Sequence, residues 1–550
     1  MGDLRWGMRY VKENGRDKSE TGEQCSMETN VFLIQNLKNK ILNYDGLVLY
    51  GAGYAARILI ERLEKEDIIP LYCIVTDMTD NLERIGAIPV YSFFQKAEEL
   101  RKQNILVIMA VSGSHEMEIM DLLNREEIVN KVSVSEYWCN ISMFKEMYLE
   151  KDFEWYLSRV KDWYFEQCGM NLKVSSLRKG KGERQTDIVF VLNHPSPRAV
   201  KIIYALRNNG KKITVLLNEN IAATAGYSLW CDYLKKICIC HYYSGIEQLI
   251  LLLLKNNGMV VHVFSTPWNI YIPYILVKFQ KDIGKIVFDE YDIANGFYVN
   301  IDKNILQLER YCLENASGIC YREFSLEYLT DCLKFNIKGK TIRFFDYCFG
   351  NRGDGIQNIE NNLSLCYAGG VVGEDDNSDC PAVFSMAFIE MCEQGKCHLH
   401  VYPSNWDENR YRKYLEKEKE SKYFHFHKPV VYEELIRELS QYDYGIMPAR
   451  DDIWEMEGDE SSTKYKYIYA STNKLFDYID AGLPIIAASP LKIVEYLRKM
   501  GVLIQWTNGQ YDFGYLMAEK KRMKRKVVEV REELRIENQI GKLMDFYEKL

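Results

Sequence analysis

Short, almost wholly apolar runs recur along the chain and alternate with stretches whose apolar residues repeat at helical spacing. Such runs lie at residues 46–50, 187–192, 285–288, 363–368 and 485–488. A run of this length between turn residues is typical of a strand buried on both faces of a parallel sheet. The alternation of these strands with helices therefore predicts an α/β fold.

The chain is too long for a single core, because it has 550 residues and domains of ordinary size are several times shorter. A charged, glycine-broken stretch at 179–185 marks one boundary, and a polar, glycine-bearing stretch at 351–362 marks another. The predicted segments are a loose N-terminus at 1–29, a small α/β module at 30–140, a helical linker at 141–185, an α/β domain at 186–355, a second one at 356–510 and C-terminal helices at 511–550.

Composition excludes several classes of protein. The net charge of −8 argues against general nucleic-acid binding. Fifteen cysteines without CxxC pairs, and no signal-peptide pattern, predict reduced thiols in a cytoplasm. The longest aliphatic run, 249–254, is far shorter than the roughly 20 residues that cross a bilayer. We expect a cytoplasmic protein that at most attaches to the inner membrane surface.

A glycine turn follows the first predicted strand. Gly51 and Gly53 open a helix, and the next strand ends near Asp77. In this context the glycines allow a tight turn and a close phosphate, while the acid binds ribose hydroxyls. The same turn equally suits close packing of strand on helix. The module resembles the Rossmann-like nucleotide-binding modules at the front of sugar acyltransferases and polysaccharide-biosynthesis proteins, which implies NAD or another nucleotide at these three residues.

Residues 471–489 predict a capped helix, a stop and a buried strand. Ser471, Thr472 and Asn473 can each cap the helix, and a glycine followed by a proline at 482–484 ends it.

Two charged side chains lie near the start of this helix. Lys474 is in the first turn, where unpaired N–H groups and the helix dipole attract anions such as a diphosphate. Asp477, one turn later, can accept hydrogen bonds from sugar hydroxyls. Both residues would also suit a solvated first turn with no ligand.

Residues 473–486, Asn-Lys-Leu-Phe-Asp-Tyr-Ile-Asp-Ala-Gly-Leu-Pro-Ile-Ile, resemble the donor-site signature of the glycosyltransferase group 1 family, which has the GT-B fold. The resemblance implies twin Rossmann-like domains, preceded in this chain by the small Rossmann-like module, with an active site in the cleft between the twins. It implies that Lys474 and Asn473 contact the nucleotide diphosphate and that Asp477 contacts the ribose or the donor.

Four further positions follow from this resemblance. Gly369 and Gly370 resemble the family's glycine turn, which admits a phosphate or donor sugar to the backbone. Arg322 follows a strand where the family places basic or hydroxyl groups, and is a donor-binding candidate. His194, in a turn with two prolines, is the acceptor-binding candidate.

Three acids follow the predicted strand at 285–288, where parallel sheets collect functional groups. Inverting enzymes of this fold use an Asp or Glu of the acceptor domain as the general base that takes the proton of the attacking hydroxyl. Asp289, Glu290 and Asp292 are therefore the predicted catalytic residues. A solvated strand end, a helix cap or a Mg²⁺ site are the alternatives, although the family generally works without a metal.

The sequence thus predicts transfer of a sugar from a nucleotide-sugar to a glycan or lipid-linked acceptor hydroxyl, in polysaccharide or glycoconjugate biosynthesis and without a required cofactor. One rival is an NAD-dependent sugar-modifying enzyme, suggested by the glycine turn at Gly51. Another is a catalytically silent sugar-nucleotide-binding protein, suggested by Tyr469 where many relatives have Glu and by acids at 374–376 where many have a basic pair. The basic run at 520–526 is either a solvated helix face or a contact with an anionic membrane.

Overall fold

The structure is a computed structural model that describes most of the chain. The described residues are 37–38, 40–64, 66–79, 81, 83–111, 113–133, 151–173, 186–193, 195–218, 228–243, 245–256, 260–266, 269–290, 293–295, 303–322, 324–350, 362–371, 386–404, 406, 408, 410–430, 432–447, 468–487, 491–505 and 512–550. The predicted loose N-terminus at 1–29, the acids at 374–376, His194 and Asp292 lie outside them, as does the side chain of Glu290.

The chain divides into two compact units. One spans Asp3–Arg159, and the other spans Val160–Leu550 together with the first two residues. The division lies within the helix Phe153–Cys168, inside the segment 141–185 that the sequence predicts to be a helical linker.

The first unit contains a six-stranded sheet. Its strands are β1 (Gly46–Tyr50), β2 (Tyr72–Val75), β3 (Arg84–Ile85), β4 (Ile88–Ser92), β5 (Ile105–Met109) and β6 (Lys131–Ser133), and its helices are Tyr54–Glu64, Phe93–Lys102 and Gly113–Arg125. The order is β3-β4-β2-β1-β5-β6, and only the short β3–β4 pair is antiparallel. Along β1, Leu47 and Leu49 pack on one face while Val48 and Tyr50 pack on the other. This two-sided burial explains why β1 is apolar at every position.

The second unit begins with a seven-stranded parallel sheet. Its strands are β7 (Ile188–Leu192), β8 (Ile213–Asn218), β9 (Ile239–Tyr243), β10 (Val260–Ser265), β11 (Lys285–Glu290), β12 (Gly318–Tyr321) and β13 (Lys340–Arg343), in the order β13-β12-β11-β10-β7-β8-β9. Its helices are Pro197–Asn208, Ser228–Ile237, Ile246–Asn256, Tyr271–Lys278, Gln280–Ile283, Lys303–Asn315 and Ser325–Glu327.

One helix of this sheet departs from its expected form. The sequence predicts a helix over 326–333, but the structure has a single α-turn, Ser325–Glu327, continued by the π-helical turn Tyr328–Cys332. Within it, the Thr330 hydroxyl donates to the carbonyl of Leu326 at 2.9 Å. Such back-bonding from a mid-helix threonine competes with the regular ladder and distorts helices.

A second parallel sheet follows in the same unit. Its strands are β14 (Ser364–Gly369), β15 (His398–Pro403), β16 (Phe424–Phe426), β17 (Tyr444–Met447), β18 (Ile485–Ala487) and β19 (Leu503–Gln505), in the order β16-β15-β14-β17-β18-β19. Its helices are Met386–Gln394, Arg412–Glu420, Tyr432–Leu439, Asn473–Asp480 and Lys492–Lys499. Three α/β sheets, two of them wholly parallel and the first parallel except for the β3–β4 pair, confirm the predicted fold class.

Two C-terminal helices connect the two sheets of the second unit. Phe513–Glu533 packs against the helix Asn473–Asp480, which belongs to the last sheet. Ile536–Glu548 packs against the helix Pro197–Asn208 and against β13, which belong to the preceding sheet. The end of the chain therefore returns to the first half of this unit. No helix among the described residues is both long enough and apolar enough to cross a bilayer.

Candidate functional site

The helix Asn473–Asp480 begins beside the carboxyl end of β14. The Tyr478 hydroxyl fixes this arrangement, because it accepts a hydrogen bond from the Ala368 amide at 3.0 Å and donates one to the Ile446 carbonyl at 3.0 Å. The helix ends at Gly482, whose φ of 78° and following Pro484 match the predicted stop. The first turn of the helix therefore lies at the strand ends, where ligands of parallel sheets usually bind.

Lys474 contacts the predicted glycine turn. Its Nζ donates to the Tyr367 hydroxyl at 2.9 Å and lies 4.3 Å from the centre of that ring. The Tyr367 hydroxyl in turn donates to the Gly370 carbonyl at 2.5 Å. A Cβ at Gly369, where φ is 150°, would lie 2.9 Å from the same Nζ. The structure thus brings Lys474, Gly369 and Gly370 together, as the sequence predicts.

The Lys474 ammonium has no carboxylate partner among the residues that the structure describes. It lies at a helix N-terminus, where the backbone already carries partial positive charge. Thr472, one of the three residues that can cap this helix, is its N-cap, but the Thr472 side chain makes no capping hydrogen bond. The result is a concentration of positive charge whose natural complement is an anion.

Arg322 and Asn473 meet at the same helix end. Arg322, which is 6% exposed, donates from Nη1 to the Asn473 Oδ1 at 2.9 Å and approaches the Asp346 Oδ2 at 3.5 Å. Arg322 follows β12 in the preceding sheet, so this contact joins the two halves of the unit at their carboxyl strand ends. The geometry makes Arg322 a support for the helix start, and its predicted contact with the donor stays a prediction.

Asp477 faces the other half of the unit. Its Oδ1 accepts from the Lys201 Nζ at 3.1 Å and from the Tyr432 hydroxyl at 2.9 Å. Burial alone would lower the pKa of Lys201, but Asp477 and Asp480 raise it above its ordinary value, so the amine stays charged. Only the second carboxylate oxygen of Asp477 therefore remains for the predicted contact with donor hydroxyls.

Asp289 is fully buried, which contradicts its predicted role as general base. Its two oxygens accept from Arg198 at 3.0 Å each, and Oδ2 also lies 3.2 Å from the His262 Nε2. Burial would raise the pKa of Asp289, but Arg198 and then His262 lower it to about 2. A carboxylate with this pKa, 0% exposed and occupied by a guanidinium, cannot reach or keep the proton of an acceptor hydroxyl.

The same pair explains a cluster that resembles a metal site. Side-chain ligand atoms of His262, Asp289 and Cys320 lie within 4.8 Å of one another. Arg198 already balances the carboxylate, and the His262 Nδ1 is paired with the Tyr547 hydroxyl at 2.5 Å. These groups therefore form a satisfied core network, which makes His262 a buried structural histidine.

Sequence reasoning missed several polar residues of this region. Arg198 and Lys201 lie one turn apart on the helix Pro197–Asn208 and are 1% and 2% exposed. Arg198 donates to the Phe344 carbonyl at 2.6 Å and to the Asp346 Oδ1 at 3.2 Å. The sequence signal that could have found them is two basic residues three positions apart in a helix whose other residues are mostly apolar. Basic side chains are rarely buried in such a helix unless each pairs with an acid.

The predicted nucleotide-binding residues of the first unit also lie together. Gly51, Gly53 and Asp77 line one cavity of about 690 Å³ at the carboxyl ends of β1 and β2.

Comparisons with known proteins give only a distant likeness. No family model and no curated protein matches the chain. Among solved structures, MurG from Acinetobacter baumannii has a TM-score of 0.35 at 11% identity, covering 66% of this chain and 100% of that one. WaaG, a glycosyltransferase involved in lipopolysaccharide biosynthesis, has 0.35 at 12%, covering 66% and 98%. The α,α-trehalose 6-phosphate synthase from Burkholderia multivorans has 0.39 at 9%, covering 66% and 97%. At these values the likeness says nothing about activity or substrate.

Proposed function

We propose that this protein transfers a sugar from a nucleotide-sugar donor to an acceptor hydroxyl. The observation that carries the proposal is the Lys474 ammonium, which lies at the start of the helix Asn473–Asp480 beside Gly369 and Gly370 and has no carboxylate partner among the described residues. A diphosphate bound there would meet both the ammonium and the free N–H groups of the first turn. The resemblance of residues 473–486 to a family donor signature agrees with this use.

The same geometry suits the chemical step. When the sugar–phosphate bond breaks, negative charge grows on the departing diphosphate, and groups already in place to receive it stabilise the transition state. Lys474 is held in place by Tyr367, so little reorganisation is needed. A Cβ at Gly370 would meet no described atom within 4 Å, which leaves room for the donor beside the turn.

The general base is proposed to be Glu290 or Asp292, because Asp289 is bound by Arg198. Glu290 ends β11, directly after the buried acid.

The acceptor is proposed to be a glycan or a lipid-linked sugar of polysaccharide or glycoconjugate biosynthesis, with His194 near it. Contact with an anionic membrane through residues 520–526 is a weaker proposal, because Lys520 and Lys524 approach Asp443, while Arg522 and Lys526 pair with glutamates. Among the described residues only Lys521 and Arg525 of this run lack a carboxylate partner.

The test combines binding with turnover. Thermal shifts with UDP-, GDP-, CMP- and dTDP-sugars identify the donor, and hydrolysis or transfer by the purified chain then gives kcat and KM. Lys474→Ala is expected to lower kcat by about 10²- to 10³-fold, which is the typical loss of one transition-state donor. Lys474→Arg should retain part of the activity, because it keeps the charge.

Lys499→Ala is the matched control, since it removes a 69% exposed lysine of the same half that pairs only with Glu495. If Lys474→Ala folds and keeps turnover and nucleotide affinity within twofold of the control, the donor site is misplaced. Donor binding without any hydrolysis or transfer would instead support the silent sugar-nucleotide-binding protein.

A further inference from the structure

We propose that the first unit carries a separate binding site for a nucleoside diphosphate or its ester with an unsubstituted ribose, in the cavity at the ends of β1 and β2. NAD and nucleotide-sugars both belong to this class. The proposal does not rest on the glycosyl transfer proposed for the second unit, because all its residues lie within Asp3–Arg159.

The cavity lies where the sheet topology opens a crevice. β1 has β2 on one side and β5 on the other, so the connections that leave β1 and β5 run in opposite directions. Ligands of open parallel sheets bind outside the carboxyl ends of the strands at such a point. The cavity of about 690 Å³ is lined from all three strand ends and from the helix Gly113–Arg125. Its volume falls in the ordinary range for small-molecule sites, roughly 300–1,000 Å³.

The turn after β1 is shaped to hold phosphates. Gly51 has a φ of 121°, and a Cβ there would lie 2.7 Å from the Ala110 carbonyl oxygen, so no other residue fits. A Cβ at Gly53 would meet no described atom within 4 Å, which means that the space above the turn is open. The helix Tyr54–Glu64 begins at the next residue, with its unpaired N–H groups at this opening.

Asp77 is placed to receive the ribose. It is exposed, and its Oδ1 is held by the Thr79 amide at 2.9 Å and the Thr79 hydroxyl at 2.6 Å. The hydrogen bonds from Thr79 lower the pKa of Asp77, so the group is ionised at neutral pH. A fixed carboxylate of this kind accepts from the 2′- and 3′-hydroxyls and repels a phosphate at the 2′ position.

An exposed aromatic ring offers a surface for the base. Phe94 lines the cavity with a ring that is 61% exposed, and the ring also meets Phe93 edge-on with 5.4 Å between ring centres. Nucleobases stack readily on such rings. Phe94 therefore offers a surface to the base, Asp77 offers one to the ribose, and the glycine turn offers one to the phosphates.

The charges of the residues that line the cavity limit how many phosphates the ligand can carry. Asp77, Glu118 and Glu126 are acidic, and Arg125 is the one basic residue of the lining. An excess of acids disfavours a ligand with many negative charges. We therefore expect a diphosphate or its ester to bind more tightly than a triphosphate or a 2′-phosphorylated nucleotide.

The test measures equilibrium binding to the full chain by calorimetry. NAD⁺ is compared with NADP⁺, ADP with 2′-deoxy-ADP and ATP, and UDP with 2′-deoxy-UDP. The first ligand of each set should bind at least tenfold more tightly than the others of that set. Asp77→Asn is expected to weaken the hydroxyl-bearing ligands about tenfold and to narrow the gap between NAD⁺ and NADP⁺. Asp121→Asn is the matched control, an exposed acid on the helix Gly113–Arg125 that does not line the cavity.

A second variant, Gly53→Ala, keeps the test conclusive if Asp77→Asn does not fold. Gly53→Ala should fold, because its Cβ meets no described atom, but it should weaken binding by intruding on the phosphates. Gly541→Ala adds a methyl group to equally open space in the second unit and should change nothing. Absence of saturable binding for all the ligands, or affinities unchanged in both Asp77→Asn and Gly53→Ala, overturns the proposal. Loss of binding in Lys474→Ala, with Asp77→Asn unaffected, would assign the nucleotide to the second unit instead.

Discussion

Arg198 and Lys201 are cations buried in the core of the second unit, and each is paired. Arg198 lies between Asp289 and Asp346, whereas Lys201 lies against Asp477. Breaking such a buried pair by removing one partner is typically far costlier than the pair is worth, because the remaining charge stays buried. The residues that hold the site together are therefore sensitive to substitution for reasons unrelated to chemistry.

Asp289→Asn separates a structural from a catalytic role. We expect a loss of unfolding free energy of about 3 kcal/mol, because the buried Arg198 charge would lose its bidentate partner and keep only the single contact with Asp346. The protein that remains folded should keep its turnover. Denaturant unfolding and kcat, measured at the same temperature, check both expectations.

The double substitution Arg198→Met with Asp289→Leu removes both charges and should recover much of the stability. A stable Asp289→Asn protein with turnover reduced a hundredfold or more would restore Asp289 as the general base.

At the scale of elements, half of the eight histidines of the chain lie in β15, in β16 and at the residue directly after β16. His398 and His400 on one strand meet His425 and His427 near the other, with N···N distances of 3.0 Å in each pair. The His400 and His425 rings also stack at 4.3 Å. Burial, followed by its histidine neighbours, lowers the pKa of His400 to about 2, and burial also lowers the pKa of His427.

This histidine cluster should make the fold sensitive to acid. Below about pH 6.5 the unfolded chain binds protons at His400 and His427 more readily than the folded chain does, because their pKa values are lowered on folding. The unfolding free energy should therefore fall as pH drops from 7 to 5, by up to about 2 kcal/mol from His400 alone. Denaturant midpoints at the two pH values measure this loss.

His400→Phe keeps a ring in the stack and should reduce the pH dependence, even if it lowers stability at every pH. Tyr423→Phe alters a ring beside His398 without removing an imidazole, and should keep the wild-type slope. Asp480, whose pKa burial raises to about 6, acts in the opposite direction as pH falls toward 4, so the difference between variant and wild type is the informative quantity. Equal slopes in His400→Phe and wild type would contradict this account.

At the scale of the whole molecule, the C-terminal helix Ile536–Glu548 completes the core of the first half of the second unit. The Tyr547 hydroxyl pairs with His262 on β10. Gly318 on β12 lies so close to this helix that a Cβ there would be 2.7 Å from the Phe546 ring. The last residues of the chain thus stabilise strands that precede them by more than two hundred residues.

Phe546→Ala should test this dependence. Removing a large buried ring typically costs about 3–5 kcal/mol, and the loss should fall on the sheet that the ring covers. Hydrogen exchange should increase in β12 and in the helix Pro197–Asn208, while β14 and β17 stay protected. Tyr515→Ala, which removes a 48% exposed ring on the preceding C-terminal helix, is the control. Uniform destabilisation of both sheets would show that the two halves unfold together.

The predictions that depend only on residues close together in the sequence were the most successful. The helix at Asn473, its stop at Gly482 and the strand at Ile485 depend on neighbours within about ten residues. The partners of that helix do not. Lys474 meets Tyr367 across 107 residues and Asp477 meets Lys201 across 276. Hydrophobic periodicity and turn residues depend on local conformation. They therefore predict where the helix lies, but not which carboxylate pairs with a distant lysine.

The alternation of apolar runs with helical stretches was enough to predict α/β domains with mainly parallel sheets, because strands buried on both faces are apolar at nearly every position. Glycines at 51, 53, 369 and 370 were likewise visible from the chain alone, since turns of that kind need them. Whether an acid such as Asp289 serves chemistry or packing was decided only by tertiary contacts, because ionisation and access depend on which groups fold against it. The same holds for Lys474, because its lack of a carboxylate partner among the described residues depends on which distant side chains fold beside it.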